Sequence, residues 1–325
     1  MPRIFLYEHL TATGTGRDSQ SSEHSLYREG LAMRDAIAAD FRTNEDYEVA
    51  FFEGGDDDAF QNECDAADFT LIIAPEFDGI LAKLTSIAER TSTSNLGSTH
   101  RGVVLCADKL ALCQHWQTHG IPTPPTCGIA DWPRATFPAV FKPRFGAGST
   151  ATYVAKCAAD YENAAAEPWE MLAQPHVAGF SASISLIICE SKIVALMPSM
   201  QQISDDGRLK YLGGTMPLPA SLARRAELLA VRAVQCVPGL RGYVGVDLIL
   251  GFAESGSGDV AIEINPRLTT SYVGLRALAI DSIGDAILAA ACHVDLPELV
   301  WRNASVTYRP DGEVTVTESE NFAQS

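Results

Sequence analysis

Short apolar runs and longer amphipathic stretches alternate through the first third of the chain. IFLY (4–7), VAFF (49–52), TLIIA (70–74) and VVLC (103–106) have strand length, and helix-like stretches such as LYREGLAMRDAIAADF separate them. Strands apolar on both faces belong to parallel sheets covered by helices on each side, so residues 1–104 are expected to form such an α/β unit. A helix is then expected to open at Asp108, a good N-cap before KLALCQHWQTHG, and to stop at Gly120. The proline-rich IPTPPT that follows reads as a linker.

Residues 105–176 hold a smaller unit. It contains that helix, strand AVFKP (139–143), the glycine-rich FGAGST, strand TYVA (152–155), an alanine-rich helix near 158–166 and strand EMLAQ (170–174). Residues 177–325 are expected to give strands SASISLII and KIVALMPS, a loop, the helix LARRAELLAVRAVQCV, and strands YVGVDLIL and DVAIEIN. A helix near 282–292, a hairpin around Pro310-Asp311-Gly312 and a loose SENFAQS tail complete the pattern, and there is no internal repeat.

Composition narrows the function classes. The chain has 325 residues with 24 Lys+Arg against 41 Asp+Glu, a formal net charge of −17. Such a charge repels a nucleic-acid backbone, and no basic stripe with aromatics offsets it, so nucleic acid is not an expected partner. No apolar run approaches the ~20 residues of a membrane span. Met1-Pro2-Arg3 and the segment after it read as a first strand rather than a signal peptide. Eight cysteines without a CxxC pair fit reduced thiols, hence a cytoplasmic protein. The Asp56-Asp57-Asp58 run reads as a solvated loop. An anionic ligand would need cations concentrated at one place.

Four constellations supply that chemistry in order. The first is Cys106-Ala107-Asp108-Lys109, with a lysine in the first turn of a helix. The second is Phe141-Lys142-Pro143 followed by Gly146-Ala147-Gly148-Ser149-Thr150, where glycines let backbone amides approach phosphates and a lysine neutralises charge. Strand EMLAQPHV, ending near Gly179, is the third. The fourth joins Gly245-Val246-Asp247 to Glu263-Ile264-Asn265-Pro266-Arg267. Glu263 and Asn265 share one face of an extended strand, and Asp247 can reach them from its neighbour. Three oxygen donors with room for water suit Mg²⁺. Acids in apolar strands are costly unless paired or metal-bound. Lys210, in the polar loop before a helix, reads equally as catalytic or as an ordinary solvated lysine.

Taken together and in this order, the segments resemble the ATP-grasp superfamily over nearly the whole chain. The resemblance implies an α/β ATP-grasp fold with a Rossmann-like pre-ATP-grasp parallel-sheet domain (1–104), a small lid subdomain (105–176) and a C-terminal subdomain with the metal site (177–325). It implies ATP with Mg²⁺ or Mn²⁺. Lys109 and Lys142 would hold the α- and β-phosphates, Gly146, Gly148 and Ser149 would form the lid, and Gln174, Pro175, His176 and Val177 the adenine hinge. Asp247, Glu263 and Asn265 would hold the metal, with Arg267, Lys142 and Lys210 acting on the transferred phosphoryl. Where many relatives place an acid for the ribose after the hinge glycine, this chain has Phe180-Ser181, which leaves Glu170 or a backbone group for that task.

A closer likeness is to the tyramine–glutamate ligase group of methanofuran biosynthesis, carried by RIFLYEHLTATG, SLYREGLAMRDAIAADF, IIAPEFDGIL and above all EINPRLTTSYVGL. It implies an amide bond made through an acyl phosphate, from the γ-carboxyl of L-glutamate and tyramine or a similar amine. Small molecules are then the partners, and a homodimer stays open. Arg267, Thr269, Thr270, Ser271 and Tyr272 would line the substrate pocket, faced by Glu8, His9 and the loop to Gly16, with Glu76 and Asp78, which read equally as helix caps. A dipeptide ligase would be expected to carry an arginine two residues before the metal-site aspartate, and here that position is Gly245.

Other patterns carry less. Thr11 to Gly16 holds a GxG without the third glycine or the later acid of a dinucleotide fold. His115 and His119 lie four apart in HWQTH, but without an HExxH glutamate or a third ligand they read as surface residues. No GxSxG elbow or local cysteine-nucleophile signature is present. A non-catalytic nucleotide sensor would be marked by a lost metal ligand, and none is lost.

Overall fold

The computed structural model describes residues 1–52, 54–133, 136–146 and 148–318. The SENFAQS tail and Ala147 lie outside the described residues. The chain begins with β1 (Arg3–Glu8), α1 (His9–Thr13), α2 (His24–Phe41), β2 (Glu48–Phe51), α3 (Asp57–Asp65), β3 (Phe69–Ile73), α4 (Ile80–Ala88), β4 (Ser94–Asn95) and α5 (His100–Ala107). The four strands form a parallel sheet in the order β2-β1-β3-β4. Alternation on β1 covers both faces: Ile4 and Leu6 pack with Met33, Ile37 and Phe41 of α2, while Phe5 and Tyr7 pack with Phe60 of α3 and Leu84 of α4.

Two expectations are corrected here. VVLC is not a strand but part of α5, because the Thr99 hydroxyl accepts from Gly102 N and starts a helix with Gly102, Val103, Cys106 and Ala107 buried on one face. A short apolar run cannot be told apart by periodicity alone, and the cap decides it. Asp56-Asp57-Asp58 is not a loop either: Asp56 accepts from Ala59 N and caps α3, with Asp57 and Asp58 in its first turn, where the helix dipole favours acids.

The smaller unit follows: α6 (Lys109–Thr118), β5 (Cys127–Gly128), β6 (Ala139–Pro143), β7 (Tyr153–Ala155), α7 (Ala158–Ala165) and β8 (Met171–Pro175). Its antiparallel sheet has the order β5-β8-β6-β7 over a core of Trp132, Phe141, Tyr161 and Met171. Asp108 caps α6 by accepting from the amides of Leu110 and Ala111.

The remaining elements are β9 (Phe180–Ile188), β10 (Ile193–Ala195), β11 (Ser199–Ile203), β12 (Tyr211–Met216), α8 (Ala220–Gln235), β13 (Gly242–Leu250), β14 (Val260–Asn265), α9 (Ser271–Leu278), α10 (Ile283–Ala291), β15 (Ala304–Tyr308) and β16 (Val314–Glu318). They build one eight-stranded sheet in the order β14-β13-β9-β11-β12-β15-β16, with β10 also on β9. The stretch expected as KIVALMPS and a loop thus divides into β10, β11 and β12. α8 covers one face of the sheet, while α9 and α10 cover the other and share a core with α2. Among the described residues no helix is long and apolar enough to cross a membrane.

Candidate functional site

A cleft of about 340 Å³ lies between the small sheet and the large one. Its floor comes from the end of the large sheet. Asp247 on β13 stands directly opposite Glu263 on β14, and the register shifts immediately after them. Asn265 Nδ2 donates to Asp247 Oδ2 at 3.0 Å, and Gln201 Nε2 on β11 donates to Oδ1 at 2.7 Å. Burial and the Glu263 charge together push the Asp247 carboxyl well above the usual range. Burial opposes ionisation of Glu263 too, but Lys109 and Lys142 outweigh it and keep that carboxyl ionised.

The roof is the small unit. Lys142 on β6 is buried, and its ammonium is pushed down to about 8 by burial, against the pull of Glu263. Lys109 Nζ lies 3.9 Å from Glu263 Oε2 and donates to Gly146 O at 2.7 Å, so it touches both the floor and the glycine loop. Gly146, Gly148 and Ser149 line the cleft. Gly148 has φ +66°, a left-handed conformation that favours glycine, and sits against Leu26 of α2. Gln174, His176 and Val177 line the far wall.

Arg267 closes the end facing the parallel sheet. Its Nη2 donates to Glu76 Oε2 at 2.9 Å, and Nε lies 2.9 Å from Oε1 at an angle too poor for a hydrogen bond, so that side is held by charge alone. Burial would lower the guanidinium's pKa, but Glu76 reverses this and holds it above the ordinary value. Thr269 and Ser271 share a hydroxyl chain with Tyr243 and Ser185, while the Thr270 hydroxyl donates to Glu29.

Several expected residues are placed elsewhere. Tyr272 is fully buried and its hydroxyl donates to Asp40 Oδ2 at 2.5 Å, because α9 begins at Ser271 and its first turn rotates the next side chain away from the cleft. Glu8 is 3% exposed and caps α1 through Leu10 N and Thr11 N, and that helix replaces the expected substrate-facing loop. His9 pairs with the Tyr7 hydroxyl at 3.2 Å and does not line the cleft. Glu76 reaches the site only through Arg267, and Asp78 is exposed on a separate shallow groove with Phe145 and Trp169. Neither makes a side-chain cap bond. Lys210 is exposed, whereas its neighbours Leu209 and Tyr211 line the cleft. Pro175 stays in the ladder opposite Ala139, outside the lining. Ser181 lines the cleft, while Glu170 is exposed and bonded to Arg144 at 2.8 Å, away from it.

Sequence reasoning missed Gln201 and Glu29. Gln201 lay in a stretch read as continuing into a loop, and Glu29 is one acid on an amphipathic helix. Burial at the cleft raises the Glu29 pKa, although Thr270 and Arg267 oppose the shift.

The chain matches the family profile of the ATP-grasp domain over residues 106–271 and that of a pre-ATP-grasp domain over 31–103. It is 32% identical to a tyramine–L-glutamate ligase of Methanocaldococcus fervens, over 85% of this chain and 82% of that protein. A D-alanine–D-alanine ligase of Ralstonia pickettii is 28% identical, over 70% of this chain and 74% of the other. Among solved structures, a protein of Archaeoglobus fulgidus assigned to the ATP-grasp superfamily superposes with a TM-score of 0.74 at 25% identity, covering 98% of this chain and 100% of that one. With two lysines facing two crowded carboxylates across a cleft, and with these matches, the chain belongs to the ATP-grasp family and is one of its carbon–nitrogen ligases.

Proposed function

We propose that the chain is an ATP- and Mg²⁺-dependent cytoplasmic ligase that joins the γ-carboxyl of L-glutamate to tyramine or a similar amine, in methanofuran-type cofactor synthesis. The observation that carries the chemistry is the meeting of Lys109, Lys142, Asp247, Glu263 and Arg267 at one cleft. The donor set fits a divalent cation: two half-buried carboxylates face each other, and one is pushed toward the protonated form. Asp247, Glu263 and Asn265 would hold Mg²⁺, or Mn²⁺ in its place, which when bound neutralises phosphate charge.

Lys109 and Lys142 offset the charge of the ATP phosphates, with the Gly146–Ser149 loop over them and Gln174, His176 and Val177 beside the adenine. A carboxylate oxygen of the acid attacks the γ-phosphorus, the bond to the β-phosphate oxygen breaks, and ADP leaves. Arg267, held by Glu76, steadies the phosphoryl group in transfer. The amine nitrogen then attacks the acyl carbon, phosphate leaves with the bonding pair, and the amine loses a proton. Glu29 lines the cleft beside Thr270 and Arg267, where its carboxyl oxygens can accept from a substrate nitrogen. Most of this is positioning and electrostatics, with water excluded by the loop.

A dipeptide-ligase reading is disfavoured at Gly245. An added Cβ there would lie 2.6 Å from Thr269 Cγ2, so the arginine expected of such an enzyme would force Thr269 to move. The test is ADP release and product mass with L-glutamate and a panel of amines. Tight ATP binding without turnover on any acid–amine pair sinks the ligation scheme, while turnover only with other pairs overturns the substrate assignment. Glu263→Gln should abolish turnover with a smaller effect on ATP binding, and unchanged turnover would show the metal site is elsewhere.

A further inference from the structure

His115 and His119 lie one turn apart at the end of α6, and Cys236 is the residue that closes α8. The contact between the two helices is tightly built: Trp116, 1% exposed, lies between the two histidines in sequence and donates its indole N–H to Ala233 O at 3.0 Å. One ligand atom from each of the two histidines and the cysteine lies within 4.8 Å of one from each of the others.

The ring hydrogen bonds assign a donor nitrogen on each histidine. His115 Nε2 contacts Cys236 O at 2.7 Å, and His119 Nδ1 contacts His115 O at 2.8 Å. A carbonyl oxygen only accepts, so each ring carries its proton on that nitrogen. His115 Nδ1 and His119 Nε2 then keep their lone pairs. Metal-bound histidines characteristically give their other N–H to a backbone carbonyl or carboxylate, which fixes tautomer and orientation. The two rings are 4.3 Å apart at 37°, and His119 is exposed. Bonds of about 2.0–2.3 Å around a tetrahedral ion put its ligand atoms roughly 3.4–3.7 Å apart, so the cluster would need to draw in by about 1 Å.

We propose that His115, His119 and Cys236 form a second metal site, distinct from the nucleotide cleft, for a thiophilic divalent transition ion of the zinc class. The ion takes two imidazole nitrogens and one thiolate, displaces the thiol proton, and leaves a position open to water. Without the ion the Cys236 thiol donates to Ala233 O at 3.3 Å. Bound there, the ion clamps α6 to α8. Because Lys109 starts α6, the clamp fixes the far end of a helix whose near end faces the cleft.

The site stands independently of the proposed reaction. The test titrates the reduced full-length chain with Co²⁺, followed by its visible spectrum, and then displaces it with Zn²⁺. The expected result is a thiolate-to-cobalt charge-transfer band with intense tetrahedral d–d bands, saturating at one ion per chain. The signature should vanish in Cys236→Ser, lose at least tenfold in affinity in His119→Ala, and persist in Glu263→Gln and Cys157→Ser. Zn²⁺ should also raise the melting temperature of the wild type but not of His119→Ala. No thiolate band, a band that survives Cys236→Ser, or an affinity unchanged in His119→Ala would each overturn the proposal. Exposed His119 keeps the test valid if Cys236→Ser fails to fold.

Discussion

Glu76→Gln tests the link between the parallel sheet and the proposed reaction. Glu76 is 6% exposed on its side chain and Arg267 13%, so their pairing is largely hidden from water. At 2.9 Å and an effective dielectric near 20, the gross attraction is about 6 kcal/mol, most of it offset by desolvation. Removing one partner of a buried pair costs about 3–5 kcal/mol because the other charge is stranded. Glutamine keeps one acceptor oxygen for Nη2 but turns an amide toward Nε, so the cost should sit near the lower end, about 3 kcal/mol. That corresponds to a fall of about 4 °C in melting temperature for a chain of this size. A guanidinium displaced by about 1 Å from a transferred group costs about 10²-fold in rate. The expected outcome is therefore a kcat lower by about two orders of magnitude, with KM for ATP little changed, read by ADP release and thermal melts. A kcat within threefold of wild type alongside the lower melting temperature would show that Glu76 does not position Arg267 for the reaction.

Three further perturbations follow from the site. Glu29→Gln should raise KM for the amine or amino acid at least tenfold, the loss of a charge-assisted contact of about 1.5–3 kcal/mol, and a rise in KM for ATP instead would move Glu29 to the nucleotide. Gly245→Ala drives a Cβ to within 2.6 Å of Thr269 Cγ2 and should cost about 1–3 kcal/mol with a loss of turnover; full activity in urea-stable protein would refute the close approach. Asp108→Ala removes both the α6 cap and the Arg144 pair and should cost about 2 kcal/mol at neutral pH. Burial pushes the Asp108 carboxyl up, but Arg144 and the amides of Ala111 and Leu110 outweigh it and hold it below the usual range. Its stabilisation is thus present above the unfolded value of about 4 and lost as pH falls through the folded one. Urea melts at neutral and acid pH should show the deficit shrink in acid, and a constant deficit would refute the linkage.

Legibility in the sequence followed the range of the interactions involved. The Asp108 cap, the parallel β1 and β3, the Asp247/Glu263 pair and the terminal hairpin were readable because each is set by neighbours in sequence or by strand periodicity. VVLC was misread because four apolar residues fit strand and helix equally, and one hydroxyl, that of Thr99, settled it. Tyr272 was misread because EINPRLTTSYVGL continues smoothly in sequence, while the chain changes from loop to helix at Ser271. Glu8 looked like a ligand-facing acid at a strand end, yet its carboxylate was needed to start α1.

By itself the sequence determined the family, most of the strands and helices around each motif, and the lysines and carboxylates that line the cleft. Those depend on spacing within single strands and turns, where the period of the backbone dictates which side chains share a face. Only the tertiary structure decided which residues from distant segments meet. Gln201 reaches Asp247, Glu29 reaches Thr270, Glu76 grips Arg267, and Cys236 comes up to His115. The Gln201 contact follows from strand order in the large sheet and the Glu76 contact from where the segments after β3 and β14 meet, while the Glu29 and Cys236 contacts depend on how α2, α6 and α8 pack, which the summed shape of many side chains sets rather than any local pattern.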